Sequence, residues 1–64
     1  MNATDYAGKQ FHDEGGPSFE QGIFVVKSVA PDNNFLCTRV NDPQDEELFD
    51  MSYAILKIRE YERK

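Results

Sequence analysis

Carboxylates are the densest reactive groups in this sequence, and five of them fall within nine residues: Asp42, Asp45, Glu46, Glu47 and Asp50. Such a run can attract a Lys- and Arg-rich segment of another protein by charge complementarity. The simpler interpretation is a solvated acidic loop. The run lacks the glycine that an EF-hand loop requires, so this motif does not predict a calcium site.

Nucleophiles and metal ligands of other kinds are scarce. The chain has one cysteine, Cys37, and one histidine, His12. This pair cannot complete a structural zinc site, and no nucleophile with a matching base can be assigned. We therefore predict no enzymatic activity, no metal and no cofactor. Cys37 is expected to be a buried, inert thiol, and His12 is expected to face solvent.

Aromatic side chains are numerous for a chain of 64 residues, with five phenylalanines and three tyrosines. Most are expected to fill a core. Alternatively, Phe19, Phe35 and Tyr53 line a groove beside the acids. Such a groove would suit a cationic side chain through cation–π attraction and charge pairing.

The net charge of −5 is unevenly distributed along the chain. Residues 1–54 hold ten acids and three bases, whereas the last ten residues hold two acids and four bases. An acidic surface repels phosphate backbones, so direct nucleic-acid binding is not expected. The longest apolar run is too short for a membrane span, and no secretory signal is apparent. With a single cysteine, these features predict a cytoplasmic location and no membrane contact.

The length of the chain indicates one domain. Residues 1–7 are small and polar and are predicted to be flexible, so that residues 8–64 form a single small domain. A core of this size often requires support from self-association or a bound partner. A homo-oligomer is therefore a possible state.

The central part of the chain predicts a β-hairpin. "IFVVKSVA" (23–30) is rich in β-branched and aromatic residues, and "FLCTRV" (35–40) is expected to return beside it. Between them, "PDNN" (31–34) is typical of a tight turn. Val26 and Leu36 are expected to face inward. Before the hairpin, "GKQFHD" (8–13) is expected to form a short edge strand.

The segment after residue 42 allows two interpretations. A helix over 43–63 would have Asp42 as its cap and Pro43 at its first position. However, that helix would carry large apolar groups on two separate faces, and a hairpin covers only one. With two strands instead, Phe49, Met51 and Tyr53 share one face, and "ILKIREY" forms the last strand after a short turn. We favour the strands over the alternative, an α+β fold with the hairpin packed on a helix at 43–63.

The resulting order of strands is similar to that of a known group of small domains. The segments "GKQF", "GIFVVKSV", "NNFLCTRVND", "DEELFDMSY" and "ILKI" resemble the strands of SH3-like barrels, in particular the Tudor-type modules. The resemblance implies an all-β, five-stranded, partly open barrel. It also implies that a peptide binds across an aromatic-bearing surface at the mouth of the barrel.

These observations predict a non-enzymatic interaction module or small regulatory protein that binds a protein or peptide with a basic face. The predicted contact residues are Phe35, Asp45, Glu46, Glu47, Asp50 and Tyr53. The alternative is an acidic inhibitor that mimics DNA and acts on a nucleic-acid-binding enzyme. Size and acidity suit both functions.

Overall fold

The structure, a computed structural model, describes residues 3–18 and 20–63. Within these residues, an open antiparallel sheet of four strands is followed by one α-helix. A short 3₁₀ helix precedes the sheet, and the strands pair in chain order, so that β1 and β4 form the two edges. The bounds are Ala3–Tyr6 for the 3₁₀ helix, Gln10–Asp13 for β1, Gly22–Ala30 for β2, Asn34–Arg39 for β3, Asp42–Asp50 for β4 and Met51–Glu62 for α1.

The predicted central hairpin is confirmed by β2 and β3. The turn between them places Asp32 and Asn33 in the left-handed region, with φ of 64° and 59°. Asn and Asp adopt this conformation more readily than most residues. The side-chain amide of Asn34 donates a hydrogen bond to the carbonyl of Pro31 at 3.1 Å, which closes the turn.

One face of the sheet is covered by α1, and an aromatic core lies between them. The rings of Phe11 and Phe24 both contact Phe49 edge-on, with centroid distances of 5.1 and 5.0 Å. From the helix, Ala54 and Ile58 are buried against these rings. Edge-to-face packing of aromatic rings adds to the stabilisation that burial alone provides.

The N-terminal segment, which the sequence predicts to be flexible, contains the 3₁₀ helix. The ring of Tyr6 is 9% exposed and packs against Phe35, with their centroids 5.9 Å apart. The backbone N–H of Gly8 donates to the carbonyl of Val26 at 2.9 Å. These contacts attach the segment to β2 and β3.

The helix begins where β4 ends. The carboxylate of Asp50 accepts a hydrogen bond from the backbone N–H of Tyr53 at 3.2 Å and so caps the helix. The N–H of Met51 donates to the carbonyl of Asn33 at 2.9 Å, which joins the start of the helix to the β2–β3 turn. Ala54 and Ile58 are four residues apart and therefore face the sheet together.

The prediction of an all-β, five-stranded barrel is wrong, because residues 51–62 are helical and the sheet is open. The stated α+β alternative fits, although the helix begins at Met51 and not at Pro43. The objection to a helix was that apolar groups would lie on two faces. In the structure the helix does not include Phe49, which packs in the core from β4. The core residues of α1, Ala54 and Ile58, lie on one face of the helix.

The acidic run, whose simpler interpretation from the sequence is a solvated loop, lies in β4. Its register against β3 is interrupted, since Thr38 pairs with Glu46 and Arg39 pairs with Asp42. The residues between Asp42 and Glu46 therefore bulge from the ladder. Pro43 lacks an N–H, and a bulge on an edge strand is a position where proline is tolerated.

Candidate functional site

The outer face of β4, the face that α1 does not cover, carries three exposed side chains in alternate positions. These are Glu46, Leu48 and Asp50, and we call them the β4 edge surface. Leu48 is 60% exposed, and its partner across the ladder is the half-buried Leu36 on β3. An exposed apolar group is thus flanked by two carboxylates.

The predicted acidic residues lie in β4 and are not all equivalent. Asp45 is paired, because its carboxylate accepts a hydrogen bond from Nε of Arg39 at 2.8 Å. Glu47 shares a face with Phe49 and therefore points to the helix side of the sheet. Glu46 and Asp50 alternate with them and lie on the outer face, where Oδ2 of Asp50 is turned toward the start of α1 and caps it. The structure brings these last two together around Leu48, which the sequence reasoning missed. The alternation in "EELFD" was the signal that could have identified it.

The predicted aromatic groove is not formed by the described residues. Phe35 has no exposed surface and lies in the core, so it cannot contact a partner. Tyr53 lies on α1, where its ring stacks on Phe49 with centroids 6.3 Å apart. Its hydroxyl donates a hydrogen bond to the carboxylate of Asp13. The third predicted member, Phe19, lies outside the described residues.

Arg39 occupies the side of an open polar groove of about 460 Å³ that also includes Glu20 and Glu47. Its guanidinium donates to the carbonyls of Gln21 and Glu20 at 3.1 and 3.0 Å, in addition to Asp45. It also lies 4.6 Å from the centre of the Phe24 ring. Through these hydrogen bonds, Arg39 connects the segment before β2 to β4.

Two groups have raised pKa values. Burial raises the pKa of the Cys37 thiol from 9.0 to about 12, and the prediction that this cysteine is buried is confirmed. The pKa of Tyr53 is raised from 10.0 to about 12, first by the hydrogen bond to Asp13, then by partial burial and nearby carboxylates. His12, which was expected to face solvent, is half-buried on β1.

We expect alkaline pH to destabilise the fold through both groups. Because each pKa is higher in the folded state, the contribution to stability is complete below the unfolded values of 9.0 and 10.0. It is lost as the pH rises through the folded values of about 12. Urea midpoints of the wild type should therefore fall from pH 9 to pH 12. Tyr53→Phe should reduce the slope above pH 10 relative to the wild type, and an unchanged slope would contradict the role of the Tyr53–Asp13 bond.

Comparisons with known proteins were made at three levels. No protein-family model matches the chain, no curated protein matches its sequence and no solved structure matches its fold. Among residues 3–18 and 20–63, no helix has the length and apolar character needed to cross a membrane. In the same residues, no group of three or more His, Cys, Asp or Glu side chains is arranged to hold a metal ion.

Proposed function

We propose that this chain is a non-enzymatic binding module, and that a protein or peptide with a basic face docks on the β4 edge surface. The observation that carries the proposal is the position of Leu48, 60% exposed between two exposed acids on an edge strand. Exposed ion pairs contribute little affinity by themselves. An apolar contact beside them supplies the affinity, while the charges steer the partner.

The charges of this surface support the proposal because they are not neutralised within the described part of the chain. There, the ion pairs join Lys9 to Glu62, Arg39 to Asp45, and Lys57 to Glu14 and Glu60. None of them involves Glu46 or Asp50, although Oδ2 of Asp50 accepts the capping hydrogen bond from Tyr53. Glu46 and the negative charge that Asp50 retains are therefore available to a cationic partner.

We place the module in the cytoplasm, where a small regulatory protein would meet its partner. The support is the low cysteine content of the sequence, which has Cys37 alone, because small domains of oxidising compartments are typically rich in disulfides. The alternative of a DNA mimic is less well supported. A mimic needs a continuous row of negative charges, and on the outer face Leu48 separates Glu46 from Asp50.

A charge-reversal experiment tests the proposed surface. The probe is a fluorescent nine-residue peptide with Lys-Thr-Val-Thr-Lys at its centre and Ser and Thr at its ends. We expect the Glu46→Lys/Glu47→Lys variant to slow association with this peptide by about tenfold or more at low ionic strength, since it reverses the charge of Glu46 on the surface and that of its neighbour on the helix side, which adds to the same local field. The matched control is Glu14→Lys/Glu62→Lys, which changes the net charge equally but leaves β4 intact.

The control should change the association rate by less than about threefold, because steering depends on charge near the docking surface. Circular dichroism of each variant ensures that only folded proteins are compared. Equal rates for the two double variants would show that net charge alone matters, and failure of the peptide to bind the wild type would remove the proposal.

A further inference from the structure

The outer edge of β4 exposes backbone hydrogen-bonding groups as well as side chains. Among the described residues, β4 pairs only with β3, on its other side. An edge strand of this kind is a template on which another extended chain can pair. Which backbone groups face outward follows from the ladder between β3 and β4.

The hydrogen-bonding pattern between β3 and β4 determines whether the backbone N–H and C=O groups of each β4 residue point toward β3 or toward the outer edge. The N–H of Met51 donates to the carbonyl of Asn33, which makes these two residues a hydrogen-bonded pair beside the Asn34–Asp50 pair. Bonded and non-bonded pairs alternate in antiparallel sheets. The N–H and C=O groups of Phe49 and Glu47 therefore point toward β3, whereas those of Asp50, Leu48 and Glu46 point to the outer edge.

The other side of β3 supports the same alternation. The N–H of Val40 donates to the carbonyl of Ile23 at 2.9 Å, so Val40 and, two residues earlier, Thr38 direct their backbone groups toward β2. Leu36 follows in the same series. The backbone groups of Leu36 are thus directed away from Leu48, although the two side chains lie side by side.

We infer that the basic partner binds as a fifth strand, antiparallel to β4, an inference that rests on the proposed function. Residues directly opposite each other in a ladder share a face of the sheet. The partner residue opposite Leu48 would therefore cover the Leu36–Leu48 pair and should be apolar. Those opposite Glu46 and Asp50 should be Lys or Arg. The partner is an extended segment with a basic, apolar, basic pattern at every second residue.

Charge complementarity selects this occupant over a second copy of the chain. If two β4 strands paired antiparallel about Leu48, Glu46 of each would lie opposite Asp50 of the other. Like charges in directly opposite positions destabilise a sheet, and acids on an edge strand prevent self-pairing in this way. A basic segment replaces both repulsions with attraction.

N-methylated peptides test strand addition directly. The parent is the nine-residue peptide with Lys-Thr-Val-Thr-Lys at its centre. N-methylation of the central Val removes the donor that would meet the carbonyl of Leu48, and we expect affinity to fall by about tenfold or more. N-methylation of the Thr that follows is the matched control. The N–H of this Thr points away from β4, so its affinity should stay within about twofold of the parent.

Amide hydrogen exchange of the protein locates the new strand. In the free protein, the amides of Glu46 and Leu48 should exchange faster than those of Glu47 and Phe49, and saturating parent peptide should protect the first pair. If the peptide binds and depends on Glu46 and Glu47, but both N-methylated peptides bind equally or protection appears on β1, strand addition is overturned and the proposed function stands. If the parent peptide does not bind at all, both are overturned.

Discussion

The Val26→Asp variant is expected to be unfolded in the absence of denaturant. Val26 is 3% exposed on the helix-covered face of the sheet, among the aromatic rings of the core. A carboxylate there would be buried without a partner, at a cost of several kcal/mol. At about 0.05–0.15 kcal/mol per residue, the whole domain has only about 3–10 kcal/mol of stability. Far-UV circular dichroism and urea titration would measure the loss.

The matched control for this variant is Leu36→Asp. The sequence places Leu36 inward together with Val26, but the structure places it half-buried on the face that α1 leaves uncovered. The new carboxylate would reach water, and we expect a folded protein that loses about 1–2 kcal/mol of stability. A folded Val26→Asp variant or an unfolded Leu36→Asp variant would show that the two faces are assigned the wrong way round.

The second large effect is expected from Arg39→Ala, which should lower the free energy of unfolding by about 2–3 kcal/mol. The substitution removes hydrogen bonds to Glu20, Gln21 and Asp45 together with the contact over the Phe24 ring. The side chain of Arg39 is only 16% exposed, whereas its hydrogen bonds to the carbonyls of Gln21 and Glu20 lie near the surface and are weakened by water. Urea unfolding of the variant at neutral pH measures the change.

Two further variants make the Arg39 prediction specific. Lys9→Ala removes an ion pair to Glu62 in which both side chains are about half exposed, and it should cost less than about 1 kcal/mol. Gly22→Ala would place a Cβ against Nη1 of Arg39 and displace the guanidinium. It should therefore be destabilising in the wild type and nearly neutral in the Arg39→Ala background. Strictly additive effects would show that the two residues do not act together.

The hairpin was predictable because its determinants are local. Pro31, Asp32 and Asn33 favour a tight turn by their own conformational preferences, and the flanking segments have strong strand composition. The burial of Cys37 was also anticipated. Adjacent residues of a strand face opposite sides, however, so a buried Cys37 excludes Leu36 from the core and admits Phe35. Applied strictly, this rule would have removed Phe35 from the predicted contact residues.

The boundary between β4 and α1 was not predictable from local signals. Asp42 followed by Pro43 is a good start for a helix, and acids are rare in strands. Asp50 caps the helix instead, because pairing with β3 holds Asp42–Asp50 extended and brings Phe49 into the core. Contacts with β3 therefore determine whether the helix begins after Asp42 or after Asp50. These contacts are distant in sequence, so local helix propensity does not include them.

The exposure of Leu48 in the candidate site was likewise not predictable from local signals. A leucine is usually expected to be buried, and only the topology shows that α1 covers one face of the sheet and leaves the face of Leu48 uncovered. The acids around it were identified from the sequence. Their arrangement around an exposed leucine and an unpaired strand edge required the register of β4 against β3.

Because the strands pair in chain order, the entropic cost of loop closure differs between the contacts within the sheet and the contacts of the helix. Each strand pairs with the next one along the chain, so the three pairings of the sheet close short loops, which is inexpensive in conformational entropy. The contact of Tyr53 with Asp13 spans 40 residues. The long-range ordering of this domain therefore comes from the docking of α1 against β1 and from the packing of Tyr6 on Phe35, and both can follow the local pairing of neighbouring strands.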